Sequence, residues 1–311
     1  MSNNYESKPA RYFLLFIGVI SISTSAIFIR FAQQEADSLV IAAARMVISV
    51  FPLVVIVGVS YISELKKISK RNLLLSLLSG MLLAMHFATW ITSLEFTSIA
   101  SSVVLVCTTP IWVTSFGAIF YKEKVNKFVI LGILFALTGG ILVALSTHCT
   151  LSSLRPVCEF VTGGQNSTNS IGNLLAFLGA LFAAGYLIVG KTVRKSVPLV
   201  PYAFIVYLTS AVILTALVIL YSRPVLVYKP NTYIFFVLLA VFPQLIGHST
   251  LNWALKYLST TYVSIAQMGE PVGSTILAII IFREIPTTFK VIGAMFILAG
   301  IFIASRPGKN N

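Results

Sequence analysis

The chain has 311 residues, of which 57% are hydrophobic and only 10% charged, against about 25% charged in an ordinary soluble domain. Water is thereby excluded as the solvent for most of its surface, and almost nothing is left over for a soluble domain. The formal net charge of +13 lies in polar breaks between apolar stretches rather than on one amphipathic face, which argues for membrane topology and against a nucleic-acid partner.

A helix needs about 20 mainly apolar residues to cross a bilayer, and the sequence predicts ten such helices. They run over Tyr12–Ile29, Leu39–Ile62, Leu73–Leu94, Ile99–Tyr121, Phe128–Ser146, Ile171–Gly190, Val200–Tyr221, Thr232–Leu255, Thr260–Phe282 and Thr287–Ser305. The stretches are long and continuous and do not alternate, so helices are expected rather than barrel strands. The expected fold is an all-α membrane protein of ten transmembrane helices. A first five-helix repeat covers 12–146, an external loop 147–170 and a second five-helix repeat 171–305. The first helix follows a polar start and lacks a small-residue cleavage pattern, so it is expected to act as its own insertion signal.

With the amino terminus in the cytoplasm, fifteen of the 22 Lys and Arg fall in inside segments and six in outside segments, with Arg45 inside the second span. That excess puts both termini in the cytoplasm, with the plasma membrane (the inner membrane of a bacterium) as the expected location. Cys107 lies within a span. Cys149 and Cys158 flank the long connection that this topology places outside, where disulfides persist; a Cys149–Cys158 disulfide and two free thiols are both open. The same loop carries Asn166-Ser167-Thr168, an N-glycosylation pattern that matters only in a cell that modifies such sites.

Setting residue n against n + 161 pairs Ser98 with Ser259, Pro110 with Pro271, Thr114 with Thr275, Glu123 with Glu284, Phe128 with Phe289, Gly132 with Gly293, Phe135 with Phe296 and Gly139 with Gly300, without a gap. Matches of Pro, Glu, Phe and Gly in register seldom arise by chance between apolar helices. Each copy holds an odd number of spans, so the second must enter the membrane from the opposite side, and inverted repeats recur in secondary transporters. The segment Trp90-Ile-Thr-Ser-Leu-Glu-Phe-Thr-Ser-Ile-Ala-Ser-Ser with Pro110 and Tyr121-Lys-Glu resembles the third-to-fourth-helix signature of EamA-type proteins in the drug/metabolite transporter superfamily. Trp253-Ala-Leu-Lys-Tyr-Leu-Ser, Glu270-Pro271, Phe282-Arg-Glu and Gly293 to Gly300 resemble its second copy. The resemblance covers residues 12–305 and implies ten helices, cytoplasmic termini and carrier activity without ATP hydrolysis.

Ionisable groups within spans are costly and are functional candidates by default. In the eighth span Gln244, His248, Asn252 and Lys256 recur every four residues along one helix face. In the third span His86 and Trp90 lie opposite His248 and Trp253 at offsets of 162 and 163. The paired imidazoles suit substrate binding or proton coupling, and a histidine satisfied by a backbone carbonyl is the alternative. In the ninth span Gln267, Glu270 and Ser274 share a face. Pro271 directly follows the acid and disrupts the helix a turn earlier. Glu270 is the strongest single candidate, for an ammonium group or for a proton; its positional equivalent is Thr109, before Pro110. Arg45 is the countercharge to consider for Glu270 or for an anionic substrate, although its depth favours snorkelling toward headgroups. Arg30 and Lys191 read as topological anchors. Tyr186, Tyr202 and Tyr207 could offer ring faces, and interfacial anchoring explains Tyr202 equally well. Ser21, Ser23, Thr24 and Ser25 in the first span, with Gly132, Gly139, Gly179, Gly185, Gly293 and Gly300, permit close helix approach.

The leading reading is a secondary carrier working by alternating access on a small polar metabolite such as an amino acid or derivative, proton-coupled or an exchanger. Expected partners are that substrate and the lipid bilayer, with a homodimer allowed; no cofactor or metal is expected. A membrane enzyme is the alternative, but nine Asp and Glu and three His, with His148 at the outer end of the fifth span, form no acid, base or metal cluster in sequence. A channel would need a charged ring or filter loop, and no Gly-Lys-Ser/Thr phosphate loop appears for ATP.

Overall fold

A computed structural model describes residues 8–97, 102, 105–121, 125–145, 149–152, 155–158, 166–225, 227–283, 287–304 and 306. Ser98, Glu123, Glu284, His148 and the residue at 305 lie outside the described residues, as does part of the expected fourth span.

Of the spans expected from sequence, the first is two helices, α1 (Lys8–Ser23) and α2 (Ser25–Ala32), and the second is α3 (Ser38–Ile56) continued by a π-helical turn, Val57–Tyr61, and α4 (Ile62–Lys66). The third is α5 (Lys70–Phe96). The described parts of the fourth and fifth are α6 (Thr109–Tyr121) and α7 (Lys127–Leu145). A hairpin of β1 (Cys149–Ser152) and β2 (Arg155–Cys158) follows, and then α8 (Asn166–Arg194) and α9 (Leu199–Leu220). The eighth span is α10 (Pro230–Leu239), a π-helical segment Ala240–His248 and α11 (Ser249–Ala254). The ninth is α12 (Thr260–Gln267) and α13 (Glu270–Phe282), and the tenth α14 (Thr288–Ala304).

Seven of these helical runs are long and apolar enough to cross a membrane, and shorter apolar helices occupy 109–120, 127–142 and 291–304. Large apolar side chains such as Phe13, Phe51, Val55, Leu74, Phe120, Leu220, Ile280 and Phe302 are exposed, as a lipid-facing shell requires. Polar residues reset the chain between spans. The Asp37 carboxylate accepts from the Leu39 amide, and the Ser69 and Ser259 hydroxyls accept from the amides of Asn72 and Tyr262, capping α3, α5 and α12.

The hairpin was not foreseen: within the expected loop, Cys149 faces Cys158 across an antiparallel register, and α8 begins at Asn166 rather than near 171. The spans are also less continuous than their hydropathy suggests. The serine-rich first span breaks at Thr24, where the Ser23 hydroxyl donates to the Val19 carbonyl and the Thr24 hydroxyl to Ser21, bonds that bend helices. The Ser23 carbonyl then accepts from Ser274 of α13.

Packing recurs at the 161-residue offset. A β-carbon on Gly18 would stand 2.9 Å from Thr250, and one on Gly179 would stand 3.3 Å from Thr89, its equivalent. Between α7 and α14, Gly132 lies against the Gly300 carbonyl and Gly139 against that of Gly293, while Phe135 stacks on Phe296 at 5.5 Å. These pairings make the two helices antiparallel, with backbones close enough that only glycine fits.

Candidate functional site: a buried polar cluster between the halves

The eighth span shows why polar groups gather here. Pro243 sits inside the π-helical segment, where it can donate no backbone hydrogen bond. Carbonyls that this register loosens find partners on other spans. The Ser49 hydroxyl of α3 lies within reach of the Ala240 carbonyl at 3.2 Å, although its 2.6 Å bond to the Arg45 carbonyl is closer, and the Tyr207 hydroxyl of α9 donates to the Gln244 carbonyl at 3.2 Å. Such π-segments concentrate at functional sites.

Gln244, His248 and Asn252 project from this stretch and are buried. The Arg45 guanidinium of α3 reaches them: one amino group donates to Gln244 Oε1 at 2.9 Å, the other to the Ser25 hydroxyl at 3.4 Å, and its carbon lies 4.2 Å from the Phe87 ring centroid. The other side of the cluster is aromatic. His248 meets the Phe87 ring edge-on at 5.4 Å and the Tyr186 ring at 6.4 Å, and the Tyr186 hydroxyl donates to Asn252 Oδ1 at 2.7 Å. His86 Nδ1 bonds the Gly179 carbonyl at 2.9 Å, and its ring stacks on Trp90 at 5.7 Å.

Glu270 enters from the ninth span. The helix is interrupted at Met268 and Gly269, whose amides bond back to Ile265 and Ala266, and Glu270 opens α13 with Pro271 behind it. The break the proline predicted is therefore present, three residues ahead of it. The fourth span turns at Cys107 and Thr108 before α6 begins at Thr109, at the same offset of 161. Glu270 and Arg45 act on each other electrostatically but form no salt bridge; among the described residues, the ion pairs are Arg223–Asp37 and Lys229–Glu35, away from the site.

Several buried donors in the cluster have no hydrogen-bond partner: Arg45 Nε, Trp90 Nε1, Gln244 Nε2 and Asn252 Nδ2, together with His248 Nδ1, which can donate or accept. A buried polar group left unpaired costs about 1–3 kcal/mol, so a cluster of them calls for a ligand. Of the other sequence candidates, Thr109 turns its hydroxyl back to the Val106 carbonyl, Trp253 meets the Tyr257 ring at a tilt with centroids 4.9 Å apart, and Gln267 is half-buried.

A family model for the EamA-like transporter family matches residues 10–145 and 170–306. The chain belongs to that family. It is a membrane transporter, consistent with its apolar helices. Its relatives include an "Uncharacterized transporter YxxF" of Bacillus subtilis (strain 168), 23% identical over 250 residues that make up 79% of this chain and 75% of that one. Solute carrier family 35 member G1 of Homo sapiens is 26% identical over 205 residues, 65% of this transporter, which spans about half (54%) of that protein's length. A crystal structure that is 17% identical superposes over 96% of this chain and 97% of its own with a TM-score of 0.77, which shows a shared fold.

Two readings of the transporter's sequence need correction. Arg45 does not snorkel: it is fully buried, because Gln244 and the Phe87 face hold its head in the interior. Tyr202 is no interfacial anchor, since it is fully buried with its hydroxyl 2.6 Å from that of Ser79. Lys191, read as an anchor at a helix end, donates to the Leu258 carbonyl at 2.7 Å. Nearby, Arg194 is buried and donates to the carbonyls of Asn252 and Val197. Phe87, Ser49 and Ser249, whose hydroxyl pairs with that of Tyr207 at 3.0 Å, are parts of the cluster that sequence reasoning passed over. Pro243, one residue before Gln244, was the signal available.

Proposed function

We propose that this transporter is a secondary-active carrier of a small polar metabolite, such as an amino acid or derivative, working by alternating access. The reading includes ten crossing helices in two inverted repeats and both termini on the cytoplasmic side of the plasma membrane. The observation that carries it is the pair of helix breaks at 107–108 and 268–269, at equivalent places in the two halves, the second followed directly by Glu270, which interacts electrostatically with Arg45. Broken helices at the junction of two inverted halves are the usual substrate site of such carriers, because unwound backbone is tolerated at membrane depth only where it lines a binding site or packs within protein. The antiparallel, glycine-to-glycine contact of α7 with its equivalent α14 supports the inversion: two like helices can run in opposite directions only if their repeats enter the membrane from opposite sides.

Glu270 and His248 are the groups proposed to bind substrate polar atoms or to take up a proton during the cycle. Moving one net charge through 100 mV is worth about 2.3 kcal/mol, enough to bias a carrier without nucleotide hydrolysis. The test is uptake of radiolabelled metabolites into proteoliposomes with and without a pH gradient. Glu270→Gln and His248→Ala are expected to lower uptake or flatten its pH dependence. If both variants left uptake and its pH dependence unchanged, the central site would lie elsewhere.

A further inference from the structure

A guanidinium carries five N–H donors in a fixed planar fork and no acceptor. Arg45 uses one firmly, on the neutral carbonyl of Gln244 at 2.9 Å, and one weakly, on Ser25 at 3.4 Å, and Arg45 Nε has no partner. Its flat side is taken by Phe87. What remains is the in-plane edge of the fork, the edge that matches the two oxygens of a carboxylate. Around it the balance of hydrogen-bonding groups is lopsided: Gln244 Nε2 and Asn252 Nδ2 are donors that make no hydrogen bond of good geometry, having only an interaction with the already engaged Tyr207 hydroxyl, while the acceptor ends of both amides are already occupied, by Arg45 and Tyr186. Glu270 contributes charge at a distance but no ion pair. A fully buried cation among spare donors lacks an anion.

We infer that Arg45 is the anchor for a carboxylate on the substrate, so that the transporter selects organic acids and zwitterions over amines lacking an acid group. Gln244 is a positioning residue: it holds the guanidinium with its edge free and turns its own amide to the bound oxygens. For a zwitterion, Glu270 faces the ammonium end. The feature most visible in sequence, an acid in the ninth span, points to amine recognition; the guanidinium fork and the unpaired amides reverse that priority. Arg45 has no exposed surface, so an anion reaches it only when the bundle opens. The inference rests on the carrier reading above, and the experiment separates the two.

Purified transporter is screened, by thermal shift and by uptake into proteoliposomes, against matched sets that share a carbon skeleton. Each amino acid is compared with its decarboxylated amine and its deaminated acid: phenylalanine with phenethylamine and 3-phenylpropionate, leucine with isopentylamine and 4-methylvalerate. Succinate and citrate are compared with their methyl esters. Carboxylate-bearing members are expected to bind and their amine or ester counterparts to bind at least tenfold more weakly. Arg45→Gln should erase that preference. Arg45→Lys, which keeps the charge but loses the fork, should bind the acids at an intermediate level, and this variant keeps the test valid if Arg45→Gln does not fold. Arg45-dependent binding of acids without uptake would uphold the carboxylate site and remove the carrier reading. Uptake of amines or esters that Arg45→Gln leaves unchanged would uphold the carrier and overturn the carboxylate site. A screen in which no carboxylate binds overturns it as well.

Discussion

The adjacent glycines Gly139 and Gly140 are expected to respond to alanine with opposite signs. A β-carbon on Gly139 would stand 2.5 Å from the Gly293 carbonyl oxygen and 2.8 Å from the Ile297 amide nitrogen, both backbone atoms of α14. Ordinary contact begins near 3.4 Å, so α7 and α14 must part by about 0.9 Å at that level. Overpacking of this kind costs about 1–3 kcal/mol, and the better helix propensity of alanine returns no more than about 1 kcal/mol. A β-carbon on Gly140 meets only Cys107 at 3.6 Å and Met268 at 3.9 Å, distances of normal packing, so there the propensity gain of roughly 0.5–1 kcal/mol stands unopposed. The two variants should therefore differ by about 2 kcal/mol. At roughly 2–4 °C per kcal/mol for a chain of this size class, the unfolding midpoints of purified protein, followed by size exclusion after heating, should lie about 4–8 °C apart, with Gly139→Ala below wild type and Gly140→Ala at or above it. Equal midpoints, or a Gly139→Ala protein as stable as wild type, would refute the backbone-to-backbone contact between the fifth and tenth spans.

Two further outcomes concern the end of the bundle opposite the amino terminus. The Glu35 carboxylate sits 2.6 Å from the Lys229 ammonium and also accepts from the Lys229 amide and the Thr232 hydroxyl. The bond to the Lys229 side chain, foremost among these, brings its pKa from 4.5 down to about 2. A lowered carboxylate pKa means stability that is present above the unfolded value and lost as the pH falls. Thermal midpoints should decline between about pH 4.5 and pH 2, and Glu35→Gln should flatten that limb, more visibly at low salt because the pair is exposed; an unchanged limb would mean the pair contributes nothing. The hairpin register sets Cys149 opposite Cys158, and a disulfide there is proposed for protein exported to an oxidising side. Mass spectrometry of alkylated protein should find both thiols protected until reductant is added, and alkylation without reductant would dismiss the bridge.

Much of the fold could be read from the sequence because bilayers impose length and composition on each span, and because the repeat carries Pro and Gly, whose positions answer to backbone geometry. Pro271 forecast the break in the ninth span, with Pro110 its repeat equivalent in the fourth, and the paired glycines forecast the tight helix contact. The site was less legible. Periodicity located Gln244, His248 and Asn252 on one face, but only the fold brings Arg45, 199 residues away in sequence from Gln244, to the amide that holds it inside. A lone arginine at moderate depth has two physical outcomes, outward to headgroups or inward to partners, and depth alone does not choose. Arg194 shows the same ambiguity from the other direction. Counted as one more cytoplasmic charge, it is buried because the end of the eighth span offers it the Asn252 carbonyl. The hairpin over 149–158 escaped because its two strands are four residues each, too short to carry an alternating pattern.

A β-carbon on Gly140 would meet Cys107 and Met268 together, the residues at which the fourth and ninth helices are interrupted. The two interruptions thus each bring a side chain within reach of the same glycine of α7. A side chain larger than alanine at position 140 would therefore press on both interruptions at once, so that a single substitution in α7 reaches the equivalent breaks of both repeats.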